Sequence, residues 1–104
     1  MRKTRILDAA TQEAAEAAAW YERERPGLGF EFDHAVDVAL DLLEGELPPL
    51  APMPGSARTR GVKRLMLRRF PYDVVIQITN EEVLVLAFAH HARRPGYWRD
   101  RIRA

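Results

Sequence analysis

The apolar positions in the first half of the chain repeat with the period of an α-helix. Ala10, Ala14, Ala17 and Tyr21 lie on one face of a segment over residues 9–25, and Asp8 precedes it as a candidate N-cap. A second stripe of the same period follows the helix-breaking residues 26–29. Its members are Phe32, Ala35, Val36, Ala39, Leu40, Leu43 and Leu47. The sequence therefore predicts two helices joined by a short turn as an antiparallel hairpin.

The second half of the chain has the shorter period of β-strands. Residues 62–69 and 72–79 alternate between two faces, whereas residues 82–90 are almost continuously apolar, as in a central strand covered on both faces. The break between the first two strands falls at Phe70-Pro71-Tyr72. A hairpin turn is predicted at Asn80-Glu81, because Asn tolerates a positive φ.

The remaining segments are shorter or irregular. Lys3 to Leu7 is predicted as an edge strand ahead of the first helix. Pro48, Pro49, Pro52, Pro54 and Gly55 predict a connection without regular structure that continues to Gly61. The basic tail after residue 92 has the composition for a short helical turn at Trp98 to Ile102.

The order of these elements defines the fold class. It is β-α-α-β-β-β, which predicts an α+β protein whose helical hairpin packs on one face of a small, mostly antiparallel sheet. Residues 1–104 form a single domain, since neither half can bury a core alone. One helical layer leaves the opposite sheet face open, and we expect a binding or reacting surface there.

Charge divides the chain as sharply as periodicity does. Residues 1–52 hold five Lys/Arg and eleven Asp/Glu, a net charge of −6, whereas residues 53–104 hold eleven and four, a net charge of +7. The near-neutral total of +1 therefore conceals a polarised molecule. A basic sheet surface predicts an anionic partner, either nucleic acid or an acidic protein segment.

Composition excludes several kinds of chemistry. The chain has no cysteine, so it has no disulfide framework, thiolate metal site or cysteine nucleophile. His90 and His91 are neighbours on a strand and point to opposite faces, which makes a poor metal site. We therefore expect neither metal nor cofactor. No apolar run approaches the roughly 20 residues of a membrane helix, and the chain is interpreted as cytoplasmic without membrane contact.

Three sequence blocks resemble ParE-type toxins of the ParE/RelE toxin–antitoxin superfamily, which includes plasmid stabilisation systems. The first block runs from Trp20 through Pro26-Gly27-Leu28-Gly29 to Phe32. The second is Arg68-Arg69-Phe70-Pro71-Tyr72 with the strand that follows, and the third runs from Val85 to Trp98. The blocks occur in the order of the family and together span about residues 5 to 100.

The resemblance implies a growth-inhibiting toxin that a ParD-like antitoxin neutralises. The antitoxin would wrap the helices and the third and fourth strands, and its own DNA-binding domain would carry the pair to DNA only indirectly. ParE-like members of the superfamily poison DNA gyrase, whereas RelE-like members cut messenger RNA on the ribosome. A third alternative is a family member that has lost toxicity and only binds its antitoxin.

Residues on the strands favour the gyrase alternative. RelE-like catalysis relies on cations and a tyrosine around the phosphate, and Arg64 and Tyr97 match such positions. Met66 and Asp73 replace expected basic residues, however, and a carboxylate repels a phosphodiester by about 1 kcal/mol or more at close range in water. The leading prediction therefore has no catalytic residues. In the alternative, His91 acts as acid or base beside Arg64 and Tyr97.

Two surfaces follow from the leading prediction. The target-binding surface is the basic C-terminal segment, which comprises Arg93, Arg94, Tyr97, Trp98 and Arg99. The antitoxin-binding surface comprises Arg64, Arg68, Arg69, Trp20 and Tyr21. As an ordinary structural alternative, Trp20 and Tyr21 close the end of the helical hairpin as core residues.

Overall fold

The computed structural model describes residues 3–45, 51–52 and 60–103. Within these residues, two helices and five strands follow one another, with a short 3₁₀ helix near the end. They are β1 (Lys3–Ile6), α1 (Asp8–Glu24), α2 (Leu28–Glu44), β2 (Ala51–Pro52), β3 (Val62–Met66), β4 (Tyr72–Ile78), β5 (Glu82–His90) and the 3₁₀ helix Arg99–Arg101. The strands form one sheet in the order β1-β5-β4-β3-β2. Among the described strands only β1 and β5 pair in parallel, so the predicted α+β fold with a mostly antiparallel sheet is confirmed.

Local details differ from the sequence-based expectations. Pro52 pairs with Lys63 in the edge strand β2, inside the segment predicted to lack regular structure. An edge position tolerates proline because the missing N–H can face away from the sheet. Asp8 is the first residue of α1 rather than its N-cap, which is Leu7. Residues 48–50 and 53–59 of the proline-rich connection, and Leu47 of the helical stripe, lie outside the described residues.

The turns also depart from the predictions. β3 ends at Met66, so Arg68 and Arg69 lie in the turn before β4 rather than on the strand. In the described residues, positive φ outside glycine occurs at Arg69, at 70°. Asn80 therefore does not use the conformation that motivated the hairpin prediction. The turn is instead closed by Thr79, whose side chain and backbone both bond to Glu82.

Two hydrophobic layers cover the two faces of the sheet. The helix-side layer includes Phe32 and Leu43 of α2 with Val74 and Ile76 of β4. The opposite layer includes Val75. Side chains alternate along β4, so Val74 and Ile76 share one face and Val75 lies on the other, as the sequence predicted. The pairing between β4 and β5 shifts its register between Val75 and Ile76 of β4. As a result, the adjacent residues Leu86 and Ala87 of β5 both belong to the opposite layer. Such a bulge changes the direction of the end of the strand, and with it the positions of His90 and His91.

The C-terminal segment covers much of the sheet face that was expected to be open. Trp98 is buried there, with 3% of its surface exposed, and Tyr97 and Ile102 pack beside it. Gln77 fixes the end of the segment: its amide donates to the carbonyl of Arg103 at 2.7 Å, and its oxygen accepts the Arg103 N–H at 2.9 Å. The exposed part of this face is therefore a cleft beside the segment.

The helical hairpin depends on a close approach at Gly29. Glu22 of α1 accepts the N–H groups of Gly27 and Gly29, which substitutes for a conventional side-chain cap on α2. A Cβ added at Gly29 would lie 2.5 Å from the carbonyl oxygen of Ala18. The missing side chain therefore allows the helix contact and the capping contact to coexist.

We expect Gly29→Ala to destabilise the protein by about 1–3 kcal/mol, because the helices must separate to admit the methyl group. Urea unfolding measures the change. Gly45→Ala is the matched control: its Cβ would meet the nearest atom, the Asp41 carbonyl oxygen, at an ordinary 3.8 Å. Equal unfolding midpoints for the two variants would contradict the importance of this helix contact.

Candidate functional site

A cleft of about 340 Å³ opens on the sheet face opposite the helices. Its floor comes from the strands and from His91, which directly follows β5, and its rim comes from the segment after His91. The lining residues include Arg64, Asp73, His91, Arg93, Arg94, Tyr97, Trp98 and Arg99. The structure thus brings the predicted target-binding residues and the alternative catalytic residues to one place.

Asp73 lies at the centre of the polar floor. Its Oδ1 is 3.0 Å from His91 Nε2, and its Oδ2 is 3.7 Å from Arg64 Nη1. The strand register creates this arrangement, since Asp73 pairs with Met66 on one side and with Ala89 on the other. Arg64 and His91 are each two residues from those partners, and the two-residue period of a strand returns a side chain to the same face. The Asp73 side chain is only 14% exposed.

These contacts change the significance of Asp73. An ionised carboxylate can only accept hydrogen bonds, so His91 donates through Nε2–H and its Nδ1 can accept a proton. Asp73 also offsets part of the charge of Arg64. The floor therefore contains the His91 imidazole in a fixed orientation and the Arg64 guanidinium with its charge partly neutralised. The sequence indicated only that Asp73 stands where a basic residue was expected.

The rim is strongly basic. Arg93, Arg94 and Arg99 all have exposed side chains within this short segment. The Arg93 guanidinium lies 3.7 Å from the centre of the Tyr97 ring, within the range of a cation–π interaction. A rigid, low-dielectric wall beside several like charges concentrates the field, so the rim can attract an anionic surface.

Glu13 of α1 anchors the rim to the rest of the protein. Its carboxylate accepts the Tyr97 hydroxyl at 2.7 Å, the Phe88 N–H at 3.1 Å and two N–H groups of Arg101 at 3.1 and 3.2 Å. Arg93 approaches the same carboxylate at 3.7 Å. Three segments that are distant in sequence therefore meet at one side chain, which is 12% exposed.

Tyr97 and Trp98 support the rim rather than projecting from it. Burial raises the pKa of the Tyr97 hydroxyl, and the hydrogen bond to Glu13 raises it further. The hydroxyl proton is thus directed at Glu13 and not into the cleft. Because Trp98 is also buried, the exposed part of the predicted target-binding set reduces to Arg93, Arg94 and Arg99.

The residues predicted to bind an antitoxin do not form one surface. Trp20 is 51% exposed and borders a groove between α1 and the sheet, together with Tyr72 and His90. Tyr21 instead packs into an aromatic cluster with Phe32 and Phe70, which matches the structural alternative.

The three arginines of that predicted set are likewise dispersed. Arg64 lies in the cleft and Arg68 is exposed on the turn. Arg69 donates to Glu31 at 2.9 Å, and Arg25 donates to the other oxygen of Glu31 at 3.0 Å. The Arg69 hydrogen bond is the main factor that lowers the pKa of Glu31. This turn is therefore tied to the helical hairpin.

Two observations bear on other kinds of site. Across residues 3–45, 51–52 and 60–103, no group of three or more His, Cys, Asp or Glu side chains is placed to hold a metal ion. Neither helix in the described part of the chain combines the length and apolar character needed to cross a bilayer.

The fold and cleft define an α+β protein with a helical hairpin on a mixed sheet and a basic cleft on the other face. This fold is similar to a solved chain described as "Chromosomal ParDE TA system from P. aeruginosa", with a TM-score of 0.72 and 16% sequence identity. The match covers 86% of this chain and 96% of that chain. No protein-family model matches the sequence, and no curated protein matches it at a significant level. The structural match confirms the ParE-like fold.

Proposed function

We propose that this chain is the toxin of a type II toxin–antitoxin pair and that it acts in the cytoplasm. It inhibits growth by poisoning DNA gyrase through protein–protein contact, and a ParD-like antitoxin neutralises it. The observation that carries the proposal is the near-complete structural match to a chain of a ParDE system, at a TM-score of 0.72. Three sequence blocks in family order support it independently.

The cleft supports protein contact over phosphodiester cleavage. Asp73 places a carboxylate in its floor, where a bound phosphate would be repelled and Arg64 is already engaged. The Tyr97 hydroxyl is held by Glu13, so it does not serve as a proton donor in the cleft. What remains accessible is a rim of arginines, and exposed arginine is well suited to anchor a protein interface.

The antitoxin has two described surfaces available. One is the groove beside exposed Trp20, where an apolar side chain can insert. The other is the turn with Arg68, where an acidic residue can pair. An extended segment that joins these two surfaces would pass along the helix side of the sheet. It would meet the rim only at Arg93, which also lines the groove, and would leave Arg94 and Arg99 for the target.

Controlled expression tests the proposal. Induction of this chain alone is expected to stop growth, and co-expression of a small open reading frame beside its gene is expected to restore growth. The two products are expected to co-purify. Normal growth after verified accumulation of the folded chain would contradict toxicity and leave the non-toxic, antitoxin-binding alternative.

A second candidate function is that of a ribosome-dependent endoribonuclease. The contact between His91 and Asp73 specifically favours it, because a carboxylate that fixes one ring nitrogen leaves the other to take a proton from a 2′-hydroxyl. The rim arginines would then stabilise the phosphate. Tyr97 plays no part in this version.

His91→Ala separates the two functions. In the gyrase proposal the variant keeps its toxicity, since His91 is not part of the rim. In the endoribonuclease alternative it loses at least about 100-fold in cleavage of translated messages, the usual contribution of a general base. Primer-extension mapping of messenger RNA ends after induction measures cleavage. Arg5→Ala is a matched exposed control outside the cleft and is expected to behave as wild type.

A further inference from the structure

The outer face of α2 carries an apolar ridge whose residues are not members of the hydrophobic core clusters of the described residues. Phe30, Val38 and Leu42 are 77%, 39% and 46% exposed, and exposed His34 lies between the first two. These four residues are spaced by four positions, which places them in one continuous row along the helix. The buried stripe of α2 lies on the other side, so the core does not explain this row.

An acidic row lies directly beside the apolar ridge. Asp33, Asp37 and Asp41 are also spaced by four positions, and all three are exposed. Like charges at this spacing destabilise a helix by a few tenths of a kcal/mol per pair. No ion pair connects any of the three to another residue within the described ranges, and α2 itself contains no Lys or Arg. Burial and the charge of Asp37 both raise the pKa of Asp33.

The two rows specify the chemistry of a complementary surface. A helix that packs by its own four-residue ridges would lie across α2 at an angle of about 50° and insert apolar side chains beside Phe30 and Val38. Its flanking residues would face the aspartates, so they must be basic to gain from the contact. A second copy of α2 would instead oppose acidic row to acidic row. An acidic segment of the kind expected at Arg68 is disfavoured here for the same reason.

We propose that the outer face of α2 binds a basic amphipathic helix of a partner protein. The helix presents apolar residues at four-residue spacing to the ridge of Phe30, Val38 and Leu42. Its Lys or Arg residues pair with Asp33, Asp37 and Asp41. This surface is on the opposite side of the sheet from the arginine cleft, and its use does not depend on toxicity.

Fluorescence anisotropy with synthetic peptides tests the proposal on the full chain. The probe is a labelled peptide of about 16 residues, which spans roughly 24 Å as a helix, with Leu at the apolar positions and Lys at the flanking ones. A second peptide replaces every Lys by Glu, and a third keeps the composition of the first in scrambled order. The Lys peptide is expected to bind at least about tenfold more tightly than either of the others.

Variants locate the binding site. Phe30→Ser/Val38→Ser is expected to weaken binding of the Lys peptide by at least about tenfold, since it removes exposed anchors and leaves the core intact. Asp33→Asn/Asp37→Asn is expected to weaken binding and to reduce its salt dependence. Thr11→Ser/Gln12→Ser on the exposed surface of α1 is the control and is expected to bind like wild type.

Three results would overturn the proposal. The Glu peptide or the scrambled peptide could bind as tightly as the Lys peptide. The α2 variants could bind as tightly as the control. Sedimentation equilibrium could show a dimer of the chain alone that Phe30→Ser dissociates, in which case the occupant of the ridge is a second copy. Growth inhibition is measured separately, so its absence would not be confused with any of these results.

Discussion

Glu13→Ala is expected to destabilise the protein by about 3–5 kcal/mol, the usual cost of removing one partner from a buried charged pair. The substitution leaves Arg101, the Tyr97 hydroxyl and the Phe88 N–H without the carboxylate that they share. Since small domains are stable by only about 5–15 kcal/mol, a loss of this size is a large part of the total. Urea unfolding at neutral pH measures it.

Matched variants separate the contribution of the Glu13 charge to stability from the contribution of its side-chain shape. Glu16→Ala removes an exposed carboxylate from the same helix and is expected to change the stability by less than about 0.5 kcal/mol. Glu13→Gln keeps a hydrogen-bond acceptor but removes the charge, so an intermediate loss is expected. If Glu13→Ala and Glu16→Ala unfold at the same urea concentration, the anchoring role of Glu13 is wrong.

The Glu13 variants are also expected to differ from wild type in how their folding stability depends on alkaline pH. The pKa of Tyr97 is higher in the folded protein than the ordinary value of 10.0, so folding favours the protonated hydroxyl. This contribution is fully present below pH 10 and is lost as the pH rises towards the pKa of the folded state. Wild type is therefore expected to lose stability above pH 10 more steeply than Glu13→Gln, which provides no carboxylate to hold the proton.

Arg93→Ala/Arg94→Ala/Arg99→Ala is expected to restore growth when the chain is induced without antitoxin. The three side chains are exposed, and Trp20 and Arg68 are unchanged, so the variant is expected to remain folded and to bind the antitoxin. Because Arg93 also borders the groove beside Trp20, Arg94→Ala/Arg99→Ala is measured alongside it. Removing them eliminates the accessible positive charge of the rim, and interface arginines are frequent anchors of binding energy. Growth after induction, antitoxin co-purification and the unfolding midpoint are measured together. Trp98 stays unchanged, because its truncation would open the core.

The control for this variant removes the same amount of charge elsewhere. Lys3→Ala/Arg5→Ala/Arg23→Ala takes away three exposed cations outside the cleft. Toxicity is expected to persist in it. If both variants stop growth as wild type does, the arginine rim is not the target-binding surface. If both lose toxicity equally, net charge rather than the rim is responsible.

The elements that the sequence predicted well depend on local spacing. Ala10 and Ala17 are buried on α1, and Phe32 and Leu43 are buried on α2, as their helical period requires. The alternation along β4 is similarly local. These faces follow from the geometry of a single helix or strand, so the residues alone suffice to assign them.

The parts that were missed depend on contacts between distant residues. Glu13 lies 75 positions from Phe88 and 88 positions from Arg101, and no spacing rule connects such pairs. The pairing of Asp73 with His91 required the strand register and the bulge at Leu86 and Ala87. In the sequence Gln77 is recognisable only as a polar residue in an apolar strand. This is a weak indication that its side chain holds the backbone of Arg103. The burial of Trp98 depended on the path of the tail across the sheet.

Pulse-labelling after induction without antitoxin tests whether this chain is a toxin that acts on DNA gyrase. Labelled thymidine and methionine are followed in parallel, together with a reporter of double-strand breaks. If gyrase is the target, thymidine incorporation is expected to fall first and break signalling to rise, with protein synthesis declining later. An immediate stop in methionine incorporation, while DNA synthesis continues, would contradict action on gyrase.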